Sequence, residues 1–141
     1  MNNNPEQPEI RLAVVGYRKF HNYEYAKKVI DKWQLSNGKI TEIVSGGCEG
    51  ADTLAERYAK EHNIHPEIYP PDWDKYKTPF GKKNPAGVIR NTQIVNRCTH
   101  LLAFVSINSV GTNDTIKKAQ KKGVPVKIKN IDKHMVINKK N

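Results

Sequence analysis

The apolar residues of this chain fall into short runs separated by polar turns. Ile10 to Gly16 (IRLAVVG) is apolar without alternation, the pattern of a strand buried on both faces. A different rhythm follows between residues 23 and 34. There Ala26, Val29, Ile30 and Trp33 recur at helical spacing, Lys27, Lys28, Asp31 and Lys32 fill the other side, and Asn37-Gly38 supplies a stop. Ile40 to Val44 predicts a second strand, and Ala51, Leu54, Ala55, Tyr58 and Ala59 mark one face of a second helix. His65 to Tyr69 reads as a third strand, ended by Pro70 and Pro71, which cannot continue a ladder. A helix over Ala86 to Cys98, a strand over Leu101 to Val105, a helix over Thr112 to Lys122 closed by Gly123, and a strand over Val124 to Ile128 complete the order.

Strict alternation of strand and helix predicts an α/β fold: a Rossmann-like three-layer α/β/α sandwich around a mainly parallel sheet of about five strands. The 141 residues suit a single core. The expected division is a disordered leader over residues 1–9, a nucleotide-binding domain over 10–130, and a basic tail over 131–141. Residues 70–85 form the one long loop, with Pro70, Pro71, Pro79 and Pro85 among Trp73, Tyr76 and Phe80, and a loop of that length suggests a lid. No apolar run is long enough to cross a membrane, and the amino terminus has no signal-peptide character, so the expected compartment is the cytoplasm. Cys48 and Cys98 have neither zinc-ligand spacing nor a disulfide framework; they read as free thiols, and no metal is expected.

The net charge of +10 is unevenly placed. Residues 1–74 carry 9 Lys+Arg against 12 Asp+Glu, residues 75–116 carry 6 against 1, and residues 117–141 carry 9 against 1. The excess lies in the 75–90 loop and in a C-terminal group of Lys117, Lys118, Lys121, Lys122, Lys127, Lys129 and Lys133. Such a patch attracts polyanions, which makes nucleic acid a second-rank partner. A solvated lysine face explains the C-terminal group more simply, because arginine and interleaved aromatics are absent there.

In an open parallel sheet, ligands bind beyond the carboxyl ends of the strands. Four segments fall there: Gly16-Tyr17-Arg18, the turn Ser45 to Asp52 (SGGCEGAD), Asp72-Trp73, and the loop Ser106 to Thr112. Gly46, Gly47 and Gly50 permit positive φ and close backbone approach, and the helix that follows offers free N–H groups to an anion. A tight turn needs glycine for steric reasons too, so both explanations stay open. Asp52 can interact with the helix dipole or accept hydrogen bonds from a ribose or base. Gly111-Thr112 is a second phosphate candidate, with an N-cap by Thr112 or Asn113 as the alternative. Arg90 and Asn91 open the helix after the long loop, where a guanidinium can clamp phosphate, and Tyr17 and Trp73 can stack on a base.

Taken together, Gly16, Arg18, Phe20 and Tyr23, then GGCEGAD, Asp72-Trp73, AGVIRN, GTNDTIKKA and GVPV resemble the YspA-like branch of the SLOG superfamily over about residues 10–128. That superfamily includes LOG phosphoribohydrolases, the DNA-processing protein DprA and sensor domains for NAD- or ADP-ribose-derived nucleotides. The resemblance implies a phosphate and ribose pocket made by Gly46, Gly47, Gly50 and Asp52, with Arg18, Arg90, Asn91, Gly111 and Thr112 around it. Two departures stand out: Cys48-Glu49 replaces a small residue and an arginine, and Ile107 to Val110 lacks the usual glycines.

The function expected from these readings is binding of a nucleotide or an NAD/ADP-ribose-like ligand, as a sensor or sequestering module, with a homodimer as a further expectation and no certain cofactor. The alternatives are a LOG-like N-glycosidic hydrolase and nucleic-acid binding through the C-terminal lysines. Asp52, Arg90 and Asp114 are the weak catalytic candidates; the LOG-type glutamate is not reproduced, because Thr115-Ile116 stands at its position.

Overall fold

The computed structural model describes residues 8–79, 81–109 and 111–135. Five strands alternate with four helices: β1 (Arg11–Gly16), α1 (Tyr23–Asn37), β2 (Glu42–Ser45), α2 (Ala51–Glu61), β3 (His65–Ile68), α3 (Ala86–Arg97), β4 (His100–Val105), α4 (Thr112–Lys122) and β5 (Val126–Asn130). A 3-10 turn over Asp132–His134 follows. The sheet is wholly parallel in the order β3-β2-β1-β4-β5, the Rossmann-like α/β arrangement.

The order in which strands are added reverses between β1 and β4, and that reversal sends the helices to opposite faces. Leu12 and Val14 of β1 and Leu102 and Phe104 of β4 pack with α1 and α2, through Ile30, Trp33, Leu54 and Tyr58. Ala13, Val15, Val44 and Ala103 face the other way, against Ile94 and Val95 of α3 and Ile116 and Ala119 of α4. The central strands are therefore apolar on both sides, which is why their sequence does not alternate. No helix among the described residues is long and apolar enough to cross a membrane.

Capping follows local chemistry. Asn22 starts α1 by accepting from the Tyr25 N–H at 3.1 Å, and Gly38, at φ 116°, ends it with an N–H to Gln34 O at 2.9 Å. Two strands lie later in the chain than the apolar pattern suggests. Ile40 N–H is taken by Gln34 Oε1 at 2.8 Å, so β2 starts at Glu42. Val124 N–H closes α4 on Ala119 O at 2.9 Å, so β5 starts at Val126 and runs to Asn130.

Packing also continues beyond residue 130, the expected start of a tail. Ile131 is fully buried and its N–H reaches Val105 O at 2.8 Å. Beyond it, the His134 ring stacks on Tyr25 at 3.7 Å, and Asn22 Nδ2 donates to His134 O at 2.9 Å. Residues 131–135 thus belong to the domain, while the expected leader, up to residue 7, and residues 136–141 lie outside the described residues.

Phe104 sits at the centre of the α1/α2 core, fully buried against Phe20 at a ring separation of 5.1 Å. Phe104→Ala is expected to lower the unfolding free energy by about 3–5 kcal/mol in a urea titration.

Candidate functional site

The carboxyl ends of β1 and β4 meet in one close backbone approach. A Cβ on Gly16 would collide with the Phe104 carbonyl oxygen and lie 2.9 Å from Ala51 Cβ, so only glycine fits between the strand and α2. Tyr17 N–H then donates to Phe104 O at 3.0 Å, and Tyr17 O accepts from Phe20 N–H at 3.2 Å and from Ala51 N–H at 3.3 Å. The last of these bonds occupies the first N–H of α2.

The glycine turn is built on the same contact. Gly50 takes φ 78° and ψ −128°, and a Cβ there would strike the backbone of Tyr17 and Arg18. Gly47, at φ 72°, packs over Ile68 and Pro70. Gly46 lies under Arg90, whose Nη1 donates to Gly46 O at 2.6 Å and to Cys48 Sγ at 3.4 Å. Inside the turn, Asp52 accepts from Cys48 N–H at 3.1 Å, Ser45 Oγ accepts from Gly47 N–H at 3.2 Å, and Ser45 Oγ donates to Glu56 at 2.9 Å. Ser45, Gly46, Gly47 and Gly50 therefore face their own chain and do not line the open cleft. Glu49 is exposed and away from the cleft.

The cleft itself has a volume of about 540 Å³ and opens above the β1–β4 switch. Gly16, Tyr17, Arg18, Asp52, Trp73, Gly87, Arg90, Asn91, Gly111 and Thr112 all line it, together with Cys48. Asp72 is separate: its Oδ1 accepts from Lys75 N–H at 3.0 Å, and it lines a neighbouring hollow of about 270 Å³. Gly111 leads into α4 with ordinary helical angles and no side-chain cap, so neither Thr112 nor Asn113 serves as the N-cap. The amino end of α4 thus presents uncapped N–H groups beside the cleft.

Comparison with known proteins agrees with this architecture. The model of the YspA, cpYpsA-related SLOG family matches residues 10–76. The Gene 61 protein of Mycobacterium phage D29 is 40% identical over 90 residues, covering 60% of this chain and 67% of that protein. The chain belongs to the YspA-related SLOG family. Among solved structures, DNA processing protein A of Streptococcus pneumoniae superposes with a TM-score of 0.64 at 21% identity, over 85% of this chain and 50% of that one. The Helicobacter pylori protein, described by its single-stranded DNA binding mode, gives 0.55 at 18% identity, over 85% of this chain and 65% of that one. The chain spans half the length of the first structure and under two thirds of the second, and the shared feature is the fold.

Within this SLOG domain the charged candidates divide by partner. Arg90, with its Nε on Asn91 Oδ1 at 3.0 Å, braces the glycine turn. Asp114 takes Lys118 at 2.7 Å and Asn91 Nδ2 at 3.0 Å; burial pushes its carboxyl up, but these hydrogen bonds outweigh burial and hold it below the ordinary value. Asp52 is the group left strained. Burial pushes its carboxyl up to about 6, against the Cys48 N–H and the Arg90 charge that favour ionisation.

Several contributors carry no sequence signal of their own. Lys83 and Asn84 reach the cleft only because the long loop folds toward it, Val88 lines it from the first turn of α3, and Asn108 and Ser109 line it from the β4–α4 loop. Asp132 steadies the β4–α4 loop from behind, accepting from Ser106 Oγ at 2.6 Å and Ile107 N–H at 3.2 Å. Among the described residues, one trio can offer metal ligands, Glu42, His65 and Glu67. It begins β2 and β3 at the opposite end from the cleft, and Glu42 already gives both oxygens to Arg97 at 2.6 and 2.7 Å.

Gly50→Ala is expected to cost more than about 2 kcal/mol, from positive φ together with the backbone collision. Gly111→Ala, with open space around it, is expected to stay within about 1 kcal/mol of the parent in the same urea titration. Asp52 gives a pH signature. Because its folded value of about 6 lies above the ordinary 3.8, its contribution to stability is full below pH 3.8 and is lost as pH rises through about 6. Asp52→Asn removes that titration and keeps an acceptor for Cys48 N–H. The stability of the variant relative to the parent is expected to rise between pH 4 and pH 7 by up to about 3 kcal/mol.

Proposed function

We propose that the cleft binds a nucleotide-type ligand, with a phosphate at the amino end of α4 and the base against Trp73. The observation that carries this reading is the uncapped start of α4 at Gly111-Thr112, placed beside a cleft at the topological switch point. The glycine turn has the supporting role: it fixes Asp52 and Arg90 and lets α2 approach β1. Arg18 and Lys83 stand on the cleft wall with no ion pair among the described residues, and they add positive charge for a phosphate. Trp73 is half-exposed and leans over Gly87, where a Cβ would be 3.5 Å from the indole, which leaves an aromatic face for a base.

The ligand class is a nucleotide or an NAD/ADP-ribose-like derivative, and the role is that of a sensor or sequestering module, which needs no catalytic group. Membership of the YspA-related SLOG family supports this reading. The single-stranded DNA bound by the Helicobacter pylori protein supports a polymer of the same units as a second ligand.

Gly111→Asp separates the phosphate position from the fold. Its carboxylate caps α4 and competes for the same N–H groups, so stability is expected to hold or rise by about 1 kcal/mol while ligand binding falls at least about tenfold. Thermal shift with AMP, ADP-ribose and NAD reads both effects. A full ligand response in Gly111→Asp places the phosphate elsewhere, and no response in the parent protein to any of the three rejects the reading.

A further inference from the structure

The segment between β3 and α3 interleaves aromatic and basic residues: Asp72-Trp73-Asp74-Lys75-Tyr76-Lys77-Thr78-Pro79-Phe80-Gly81-Lys82-Lys83-Asn84. Its described residues are tied together by bonds of their own. Asn84 Nδ2 donates to Trp73 O at 2.8 Å across its base, Lys75 N–H is held by Asp72 Oδ1 at 3.0 Å, and Lys82 N–H by Pro79 O at 3.0 Å. Lys75, Lys77, Lys82 and Lys83 are all exposed, and none takes part in an ion pair among the described residues. Trp73 is 53% exposed beside them.

These features oppose the stability of an isolated arm. Four lysines without an ion pair outnumber the two carboxylates of the arm, Asp72 and Asp74, and an indole in water forfeits the burial it would have in a core. The arm also borders two hollows. Trp73 and Lys83 line the main cleft, Lys75 and Tyr76 line its neighbour, and Arg90 lines both. A ligand that satisfies the whole track carries repeated negative charge and at least one free aromatic face.

We infer that this arm is a docking surface for single-stranded nucleic acid, with phosphates along Lys75, Lys77, Lys82 and Lys83 and a base stacked on Trp73 at the mouth of the cleft. The inference rests on the nucleotide reading of the cleft and extends it from one nucleotide to a strand. A duplex offers the charge but hides its base faces, and an acidic peptide offers the charge without a base to stack. The C-terminal lysines are a poorer match. Lys118 is paired with Asp114 and Lys122 with Asn96 Oδ1, and no aromatic stands among them.

The test is fluorescence anisotropy of the full chain with labelled oligo-dT and oligo-rU of roughly 15 nucleotides, the two arms distinguishing DNA from RNA. Four phosphate contacts are expected to weaken binding roughly 50-fold between about 50 and 200 mM salt. Replacing the four lysines with alanine is expected to remove most of that salt dependence. Trp73→Ala is expected to cost at least about fivefold and Trp73→Phe to restore most of it, with circular dichroism and melting temperature as folding controls. A duplex that binds as tightly as the single strands, or strand affinity unchanged by both the lysine and Trp73→Ala variants, overturns the inference. If AMP or ADP-ribose binds and neither oligonucleotide does, the arm proposal fails and the cleft reading stands. If the oligonucleotides bind through the arm and no mononucleotide binds, the cleft reading fails and the arm proposal stands.

Discussion

The backbone of Tyr17 is the joint on which the site depends. Its N–H is held by the end of β4 at Phe104 O, and its carbonyl receives the N–H groups of Phe20 and Ala51. One residue thereby ties together the two strands that flank the switch point and the start of α2. The joint imposes strict local conditions. Gly16 has no room for a Cβ beneath it, and Gly50 passes against the backbone of Tyr17 and Arg18 from the other side. If either backbone moves, the floor of the cleft and the first turn of α2 move with it.

This constraint divides labour between the two βα turns. In the β2–α2 turn, Arg90, Asp52, Ser45 and Tyr17 take Gly46 O and the N–H groups of Cys48, Gly47 and Ala51, so its glycines serve shape, while Cys48 and Asp52 reach the cleft. The β4–α4 turn is turned outward. It lacks a capping side chain, it is steadied from behind by Asp132, and it lies beside open volume. Both helices start without a side-chain cap, but the first N–H of α2 is spent on Tyr17 O, and that difference favours α4 as the proposed place for an anion.

The fold was legible in the chain because its elements obey strong local rules. Apolar runs without alternation gave strands buried on both faces, and helical periodicity with glycine stops gave the helices. Strand ends were less legible: whether Ile40 or Val124 joins a ladder depends on Gln34 and Ala119 competing for their N–H groups. The extent of the domain was hidden for a similar reason, since only tertiary contact shows that Ile131 is core and that His134 stacks on Tyr25. For the site, the motifs fall at the carboxyl end of the sheet, and several of their residues, including Tyr17, Arg18, Trp73, Gly111 and Thr112, line the cleft there. They did not reveal that Arg90 is spent on Gly46 O or that Asp72 lies in a different hollow, because the first depends on how α3 packs against the β2–α2 turn and the second on the path of the long loop.

The central claim is that phosphate is received by α4 and that the glycine turn is scaffold. Backbone amide chemical-shift mapping during titration with AMP tests it directly. The expected result is that the largest shifts fall on Gly111 to Asp114, with smaller ones at Trp73 and Gly87. Largest shifts on Gly46 to Gly50, with α4 unmoved, would contradict the account.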